Sequence, residues 1–600
     1  MRQAGSDKVG KPFDELRKRR PHSLRFVFLA SLIFGKPVFH PKQPSGGLRL
    51  RKPVPMCPSQ GTSENKLAMP NESETAVSRR DLLALVGSVA GSAAMYQAMT
   101  SLGFASETNY KGPIKLAGET KGASVLVLGA GLAGMTAALE LRAAGYKVQV
   151  LEFNNRPGGR NWTLRGGDRF TELGGATQAC DFEDGLYLNP GPWRIPYHHR
   201  ALLDYCKRLG VALEPFIQLN HNALLHASTA FNGKPQRIRD IKTDFQGHVS
   251  ELLAKVTQQG KLDEAVSAED KEILLQALRS WGALDKDYAY KANLISGAYR
   301  GYAKDPGGGL GAAPVAGEII ELKDILKSRL WASLRNFSLH EFQTTMFQPV
   351  GGMDMIGKAF AREVGDLIQY DAKVTRIKQD DGGVTVSYVN SKTPSTPQTA
   401  TADWCVCTIP LSILSQIEIQ VGPRMKAAID AVPYASSVKV GLQFKRRFWE
   451  EDEAIYGGIS YTDLPIRQIS YPSSGFNRSG RGVLLGAYLF ESPNAYEFTS
   501  MAPADRVARA VEFGARLHPQ YKTEFENGIA VAWHRVPFTL GCAGNWSEKA
   551  RAEHYDNLCQ IDGRIVLAGE HASYIPAWQE GAILSSLDAI TRLHERVVRK

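Results

Sequence analysis

Ser124-Val-Leu-Val-Leu128 is a short apolar run, and Gly129-Ala-Gly131-Leu-Ala-Gly134 follows it with no residue between. A helical pattern then runs from Met135 to Ala144, and Lys147-Val-Gln-Val-Leu151 reads as a second strand ending in Glu152. Strand, glycine turn, helix and strand in this order make a complete βαβ unit, and no other feature constrains the fold as much. Gly129 permits the tight turn, Gly131 lets the backbone approach a pyrophosphate, and Gly134 allows the helix to pack closely on the strand. The helix N-terminus supplies oriented N–H groups for phosphate. Glu152, 21 residues after Gly131, is placed to accept hydrogen bonds from ribose hydroxyls. A bare glycine pattern is often fortuitous. With both strands, the helix and the acid present, a dinucleotide-binding α/β domain is expected.

The chain has 600 residues, too many for one ordinary core, so at least two domains are expected. Hydrophobic content of 43% with 22% charged residues is globular composition. A net charge of +11 invites a nucleic-acid reading, but residues 1–68 hold 14 Lys and Arg against 4 Asp and Glu. Nearly all the excess therefore sits in that segment, and the rest of the chain lacks the footprint of a nucleic-acid binder. Seven irregularly spaced Cys give neither a disulfide framework nor a metal site, and Cys405 and Cys407 read as strand packing.

Residues 1–68, rich in Pro, Gly, Ser and basic side chains, read as a disordered basic extension. Ser78-Arg79-Arg80-Asp81-Leu82-Leu83, with a mild apolar stretch to Ala94, resembles a twin-arginine export signal within residues 69–106. Translation from Met69 and a periplasmic or secreted location are the matching expectations. A basic tail before an N-terminal helix is the alternative.

Arg156-Pro-Gly158-Gly159-Arg160 comes just after Glu152, and Glu172-Leu-Gly174-Gly175-Ala176 follows. Near the C-terminus, Arg564-Ile-Val-Leu-Ala-Gly569-Glu570 is a strand ending at a Gly-Glu pair, and Ala577-Trp578-Gln579-Glu580-Gly581-Ala582 opens a last helix. Gln348-Pro-Val-Gly351-Gly352-Met353 and the strand around Val374 stand between them. Across residues 120–595 the chain resembles the flavin amine oxidase superfamily. The resemblance implies FAD rather than NAD and an α/β fold. Its FAD-binding Rossmann-type domain, of the GR2 or amine-oxidase kind, would comprise 120–190, 345–432 and 555–600. An α+β substrate-binding domain with a helical insertion would comprise 191–344 and 433–554. It counts Gly175 among the cofactor-binding residues, and it places Arg160 near the FAD pyrophosphate and ribityl region, Val374 at the adenine, Glu570 at the ribityl chain, and Gln579 at the isoalloxazine C2 carbonyl. A helix N-terminus there suits the negative charge of reduced flavin.

Within that superfamily, Asn189-Pro-Gly191-Pro192-Trp193-Arg194-Ile195-Pro196 resembles a run of L-amino acid oxidases whose arginine clamps the substrate carboxylate. A planar guanidinium is the natural bidentate partner for a carboxylate, and the flanking prolines restrain its position. The stretch from Phe448 to Pro472 resembles that family's strands over the active site and implies that Tyr471 shares the carboxylate. Lys439 matches the lysine that holds a water near the flavin, and Trp578 forms one cavity wall. Asn222 and the helical region 240–340 would cap the pocket. Cys542 lies nine residues after Trp533, but Leu540-Gly541 and Ala543 depart from the pattern of covalent attachment, so FAD is expected to be non-covalent.

The resemblance therefore implies oxidation of the α-amino group of an L-amino acid, with dioxygen as electron acceptor, no metal, and a homodimer as the assembly. An amine or polyamine oxidase in which Arg194 is structural, a dehydrogenase using a quinone, and a flavin scaffold without turnover remain as rivals.

Overall fold

β1 (Ser124–Leu128) pairs in parallel with β2 (Lys147–Leu151) on one side and with Trp404–Cys407 on the other. Four of its five residues are buried. A strand covered on both faces must be apolar throughout, which accounts for the unbroken Val-Leu-Val-Leu run. In the computed structural model, which describes residues 108–262, 266–393 and 396–599, these strands belong to a six-stranded sheet. Its order is Ile368–Gln369, β2, β1, Trp404–Cys407, Ile565–Leu567 and Ile561–Asp562. Every pairing is parallel except that of the last two strands. Cys405 and Cys407 are buried in the fourth strand as packing residues. The basic extension and the export segment lie outside the described residues.

α1 (Leu132–Ala143) and the last helix, here α2 (Gln579–Val598), pack on this sheet through Met135, Leu141, Ile583 and Ile590. Gly134 is where α1 meets the loop. A Cβ there would stand 1.9 Å from the Gly129 carbonyl oxygen, so no larger residue fits without pushing the helix away.

A second sheet of seven strands runs in the order Gln236–Arg237, Leu224–His226, β4 (Ile459–Thr462), β5 (Gln468–Ser470), β6 (Gly482–Phe490), β3 (Ser437–Phe444) and Phe525–Ala532. Every residue of β3 is buried, including Lys439. Beside this sheet lie the helices Ile238–Gln258, Ala268–Trp281 and Leu294–Arg300. Their anchor is Asp244, fully buried, which accepts from the Tyr290 hydroxyl at 2.6 Å, from Arg300 Nε at 3.0 Å and from the Ile320 N–H at 2.9 Å. A buried carboxylate persists only when so satisfied. Among the described residues no helix is long and apolar enough to cross a membrane.

Candidate active site

A cavity of about 560 Å³ runs from the carboxyl ends of β1 and β2 to the inner face of the seven-stranded sheet. At its first end, Gly129 adopts φ +105°, and a Cβ there would press on Thr408 Oγ1 at 2.7 Å. Gly131 caps α1, and a Cβ on it would meet nothing within 4 Å, so its backbone is open to the cavity. Glu152 ends β2 and accepts from the Ala130 N–H at 2.6 Å and the Asn154 N–H at 2.8 Å, which fixes the loop that carries the glycines. Gly158 donates to the Ala130 carbonyl at 2.8 Å, drawing the Gly-Gly-Arg turn against the same loop. Val374, buried, lines this end beside a register shift in its strand.

In the middle, Arg160 donates to Glu570 Oε1 at 2.7 Å and to the Cys542 carbonyl at 2.9 Å. Burial opposes ionisation of Glu570, but Arg160, His571 and the hydrogen bonds outweigh it and hold the carboxyl below its usual pKa. Gln579 opens α2 with both polar side-chain atoms buried and without a hydrogen-bond partner. Asn161 lines the same cavity in the same condition. Buried amides are rarely left so in a finished site, and these two face the cavity in need of a ligand.

At the far end, Asn189 to Pro196 is tightly held. Trp533 Nε1 donates to the Pro190 carbonyl at 2.9 Å, Gly191 leaves no room for a Cβ against the Arg160 carbonyl, and Ile195–Pro196 pairs with Met346 and Phe347. This frame presents Arg194 to the cavity. Its guanidinium carbon stands 4.4 Å from the Phe342 ring centre, 4.9 Å from Trp193 and 5.9 Å from Trp578. Among the described residues no carboxylate oxygen lies within 4.0 Å of it. Burial pushes its pKa down, while Tyr488, Tyr461 and Glu341 act against that shift. Lys439 Nζ donates to the Gly191 and Asn189 carbonyls and stands 4.2 Å from the Trp193 ring centre. Burial, and then the Arg194 charge, put its pKa well below the ordinary lysine value. Trp578 forms a wall and meets His199 edge to face at 4.9 Å.

Three expectations need correction. Tyr471 does not reach the cavity. It is 1% exposed in the core of the seven-stranded sheet, with its hydroxyl 2.6 Å from both Ser460 Oγ and His518 Nε2. Gln468 faces the cavity, and a residue three further along an extended chain falls on the opposite side. The phenols that act on Arg194 are Tyr461 of β4 and Tyr488 of β6. Tyr488 stands directly across from Lys439 in the strand pairing, a placement that only the register reveals. Gly175 also lies off the cavity. With φ +89° it serves the turn between Arg169–Thr171 and Thr177–Ala179, beside a buried Glu172–Arg506 ion pair. Asn222 bonds the Ala454 carbonyl and is not part of the lining, whereas Gln218 is. The motifs gave no notice of Glu341 and Phe342, which come from a short 3-10 turn, His340–Phe342.

Residues 132–593 match the family described as flavin containing amine oxidoreductase. The chain belongs to that family. A Bacillus subtilis (strain 168) protein provisionally named an L-amino-acid oxidase is 28% identical over 473 residues, covering 77% of this chain and 93% of that one. The L-amino-acid oxidase of Siganus canaliculatus is 29% identical over 492 residues, covering 79% and 86%. The solved structure of a putrescine oxidase bound to putrescine superposes with a TM-score of 0.52 at 18% identity, covering 80% of this chain and 99% of that one, and it shows the shared fold.

The cofactor of this amine oxidase family member is FAD. Its cradle fits: an open glycine loop at a helix N-terminus, Glu152 at the end of β2 holding that loop, the Arg160–Glu570 pair midway, and the orphaned amide of Gln579 at the start of a 20-residue helix. The reaction class is flavin-dependent oxidation of an amine or amino acid.

Proposed function

We propose that this protein oxidatively deaminates L-amino acids to 2-oxo acids with release of ammonia. The observation that carries the reading is Arg194. A half-buried guanidinium faces the cavity from a rigid loop, framed by three aromatic rings and without a carboxylate partner among the described residues. A carboxylate substrate supplies that partner, and a simple amine does not.

FAD supplies the two-electron oxidation of the substrate Cα–N bond, with dioxygen proposed to take the electrons and give hydrogen peroxide. The residues of the chain bind and orient. Arg194, with Tyr461 and Tyr488, holds the α-carboxylate so that the reacting carbon has one allowed orientation, and orientation of this kind accounts for much of a protein's share of rate. Trp193, Phe342 and Trp578 keep bulk water from the clamp, which strengthens the ion pair it makes. Lys439, desolvated above Trp193 and beside the Arg194 charge, has its pKa held well below the ordinary lysine value, which favours loss of its proton.

Anaerobic mixing tests the reading. An L-amino acid should bleach the yellow enzyme within the mixing time course, the matching decarboxylated amine should bleach it only far more slowly, and air should restore the colour. Bleaching by amines alone transfers the protein to the amine oxidases, and colour that returns only with a quinone makes it a dehydrogenase.

A further inference from the structure

Four carboxylates line the cavity, and three of them are committed to protein partners. Glu152 holds the glycine loop, Glu570 pairs with Arg160, and Glu491 accepts from the Ser436 N–H and from Asn545 Nδ2. Glu341 is the fourth. Among the described residues no cation lies within 4.0 Å of it and no backbone N–H donates to it. The Trp578 indole donates a hydrogen bond to it, which leaves the rest of its acceptor capacity open, and Arg194 acts on it at longer range. Burial pushes its pKa up to about 7 against the pull of Arg194 and Trp578. A carboxyl so desolvated gains most from a cation placed beside it.

Glu341 and Arg194 are thus close enough to influence each other yet are not joined, and the aromatic faces of Phe342 and Trp578 stand around them. Arg467 also lines the cavity and would favour an acidic ligand, but it perturbs neither Arg194 nor Glu341, so it stands apart from this pair. We propose that Glu341 is the specificity residue of the side-chain subsite and selects L-amino acids whose side chain ends in a cation, an ammonium or a guanidinium. Arg194 takes the α-carboxylate, Glu341 takes the distal cation, and the Phe342 and Trp578 rings that line the same end of the cavity favour a cation over their faces. The inference rests on the amino acid oxidase reading of Arg194. It adds which amino acids.

The experiment uses the FAD-loaded enzyme and compares kcat/KM for L-lysine and L-arginine with that for L-norleucine, an uncharged chain of similar length. The wild type should favour the basic substrates at least about tenfold, and Glu341→Gln should lower that ratio at least about tenfold, chiefly through KM for the basic substrate. Glu341→Lys should move the preference toward L-glutamate, a gain that misfolding cannot mimic. FAD content of each variant checks the fold. Three results overturn the proposal: a wild type that treats norleucine and lysine alike, a Glu341→Gln variant that loses all amino acids in equal proportion, and a Glu341→Lys variant with no new preference. Equal loss would assign Glu341 to the α-amino group, which every substrate shares. None of these touches the broader reading, which this experiment would overturn if amines bleach the enzyme while norleucine and lysine both do not.

Discussion

Replacing Tyr471 by Phe separates the structure from the family resemblance. The resemblance makes its hydroxyl a ligand of the substrate carboxylate, whereas the structure buries it against Ser460 and His518 at 2.6 Å each. Neither partner is stripped entirely by the change. Ser460 Oγ still accepts from the Leu224 N–H at 2.8 Å, whereas His518 keeps only the Glu453 carboxylate 3.7 Å from Nδ1, beyond hydrogen-bond distance. Two hydrogen bonds are lost and each partner retains one contact, so the cost should be about 1–3 kcal/mol. For a chain of this length that lowers the melting temperature by only about 1–3 °C. Catalysis should change little, with KM for an L-amino acid within about threefold of the parent. Tyr488→Phe should do the reverse, raising KM about tenfold or more through loss of a hydrogen bond to a charged group while leaving the melting temperature close to the parent. The assays are differential scanning calorimetry of the FAD-loaded protein and initial rates by oxygen uptake. A tenfold rise in KM for Tyr471→Phe with no loss of stability would refute the reasoning and restore the family assignment.

FAD should leave the protein on acid precipitation and appear in the supernatant; a yellow pellet that survives washing would show a covalent bond, with Cys542 beside the Arg160–Glu570 pair as its site. Lys439→Met should slow reoxidation by oxygen about tenfold or more while sparing reduction by substrate, as separated by stopped-flow absorbance; equal slowing of both would remove its distinct role. His571 is buried with its pKa lowered to about 4, by burial first, against an ordinary value near 6.5. The unfolded imidazole takes up a proton below pH 6.5 and the folded one does not until about 4, so this site destabilises the fold as pH falls through that window. His571→Gln should flatten the slope of denaturant-unfolding stability between pH 6.5 and 4, and an unchanged slope would exclude His571 as its source.

What was legible in the sequence follows from locality. The βαβ unit could be read because strand, turn and helix are neighbours in the chain, and each glycine answers to a contact within that unit: Gly134 to the Gly129 carbonyl, Gly129 to its own positive φ. Arg160, Glu570 and Gln579 could be placed only through the resemblance, yet they converge from segments 410 residues apart. Gly175 was misread because a glycine doublet signals a positive-φ turn equally well whether or not a phosphate lies beside it. Tyr471 was misread because one step along a strand exchanges its two faces, and the hydrophobic pattern of a sheet buried on both sides does not record which face is which. Glu341 carries no motif. Its meaning depends on Arg194 and Trp578, which are far from it in the chain and beside it in the fold.

Arg194→Ala tests the central claim most directly. Removing one partner of a charge pair in a water-poor cavity costs about 3–5 kcal/mol, much of it from leaving the other charge unpaired. The variant should therefore lose about two to four orders of magnitude in kcat/KM for an L-amino acid, and Arg194→Lys should recover only part, since an ammonium lacks the planar fork. Oxidation of the matching decarboxylated amine, which has no carboxylate to lose, should stay level or improve, and FAD should be retained. If Arg194→Ala keeps amino acid turnover within a few-fold of the parent, or loses amine oxidation and FAD along with it, Arg194 is a structural residue and the account is contradicted.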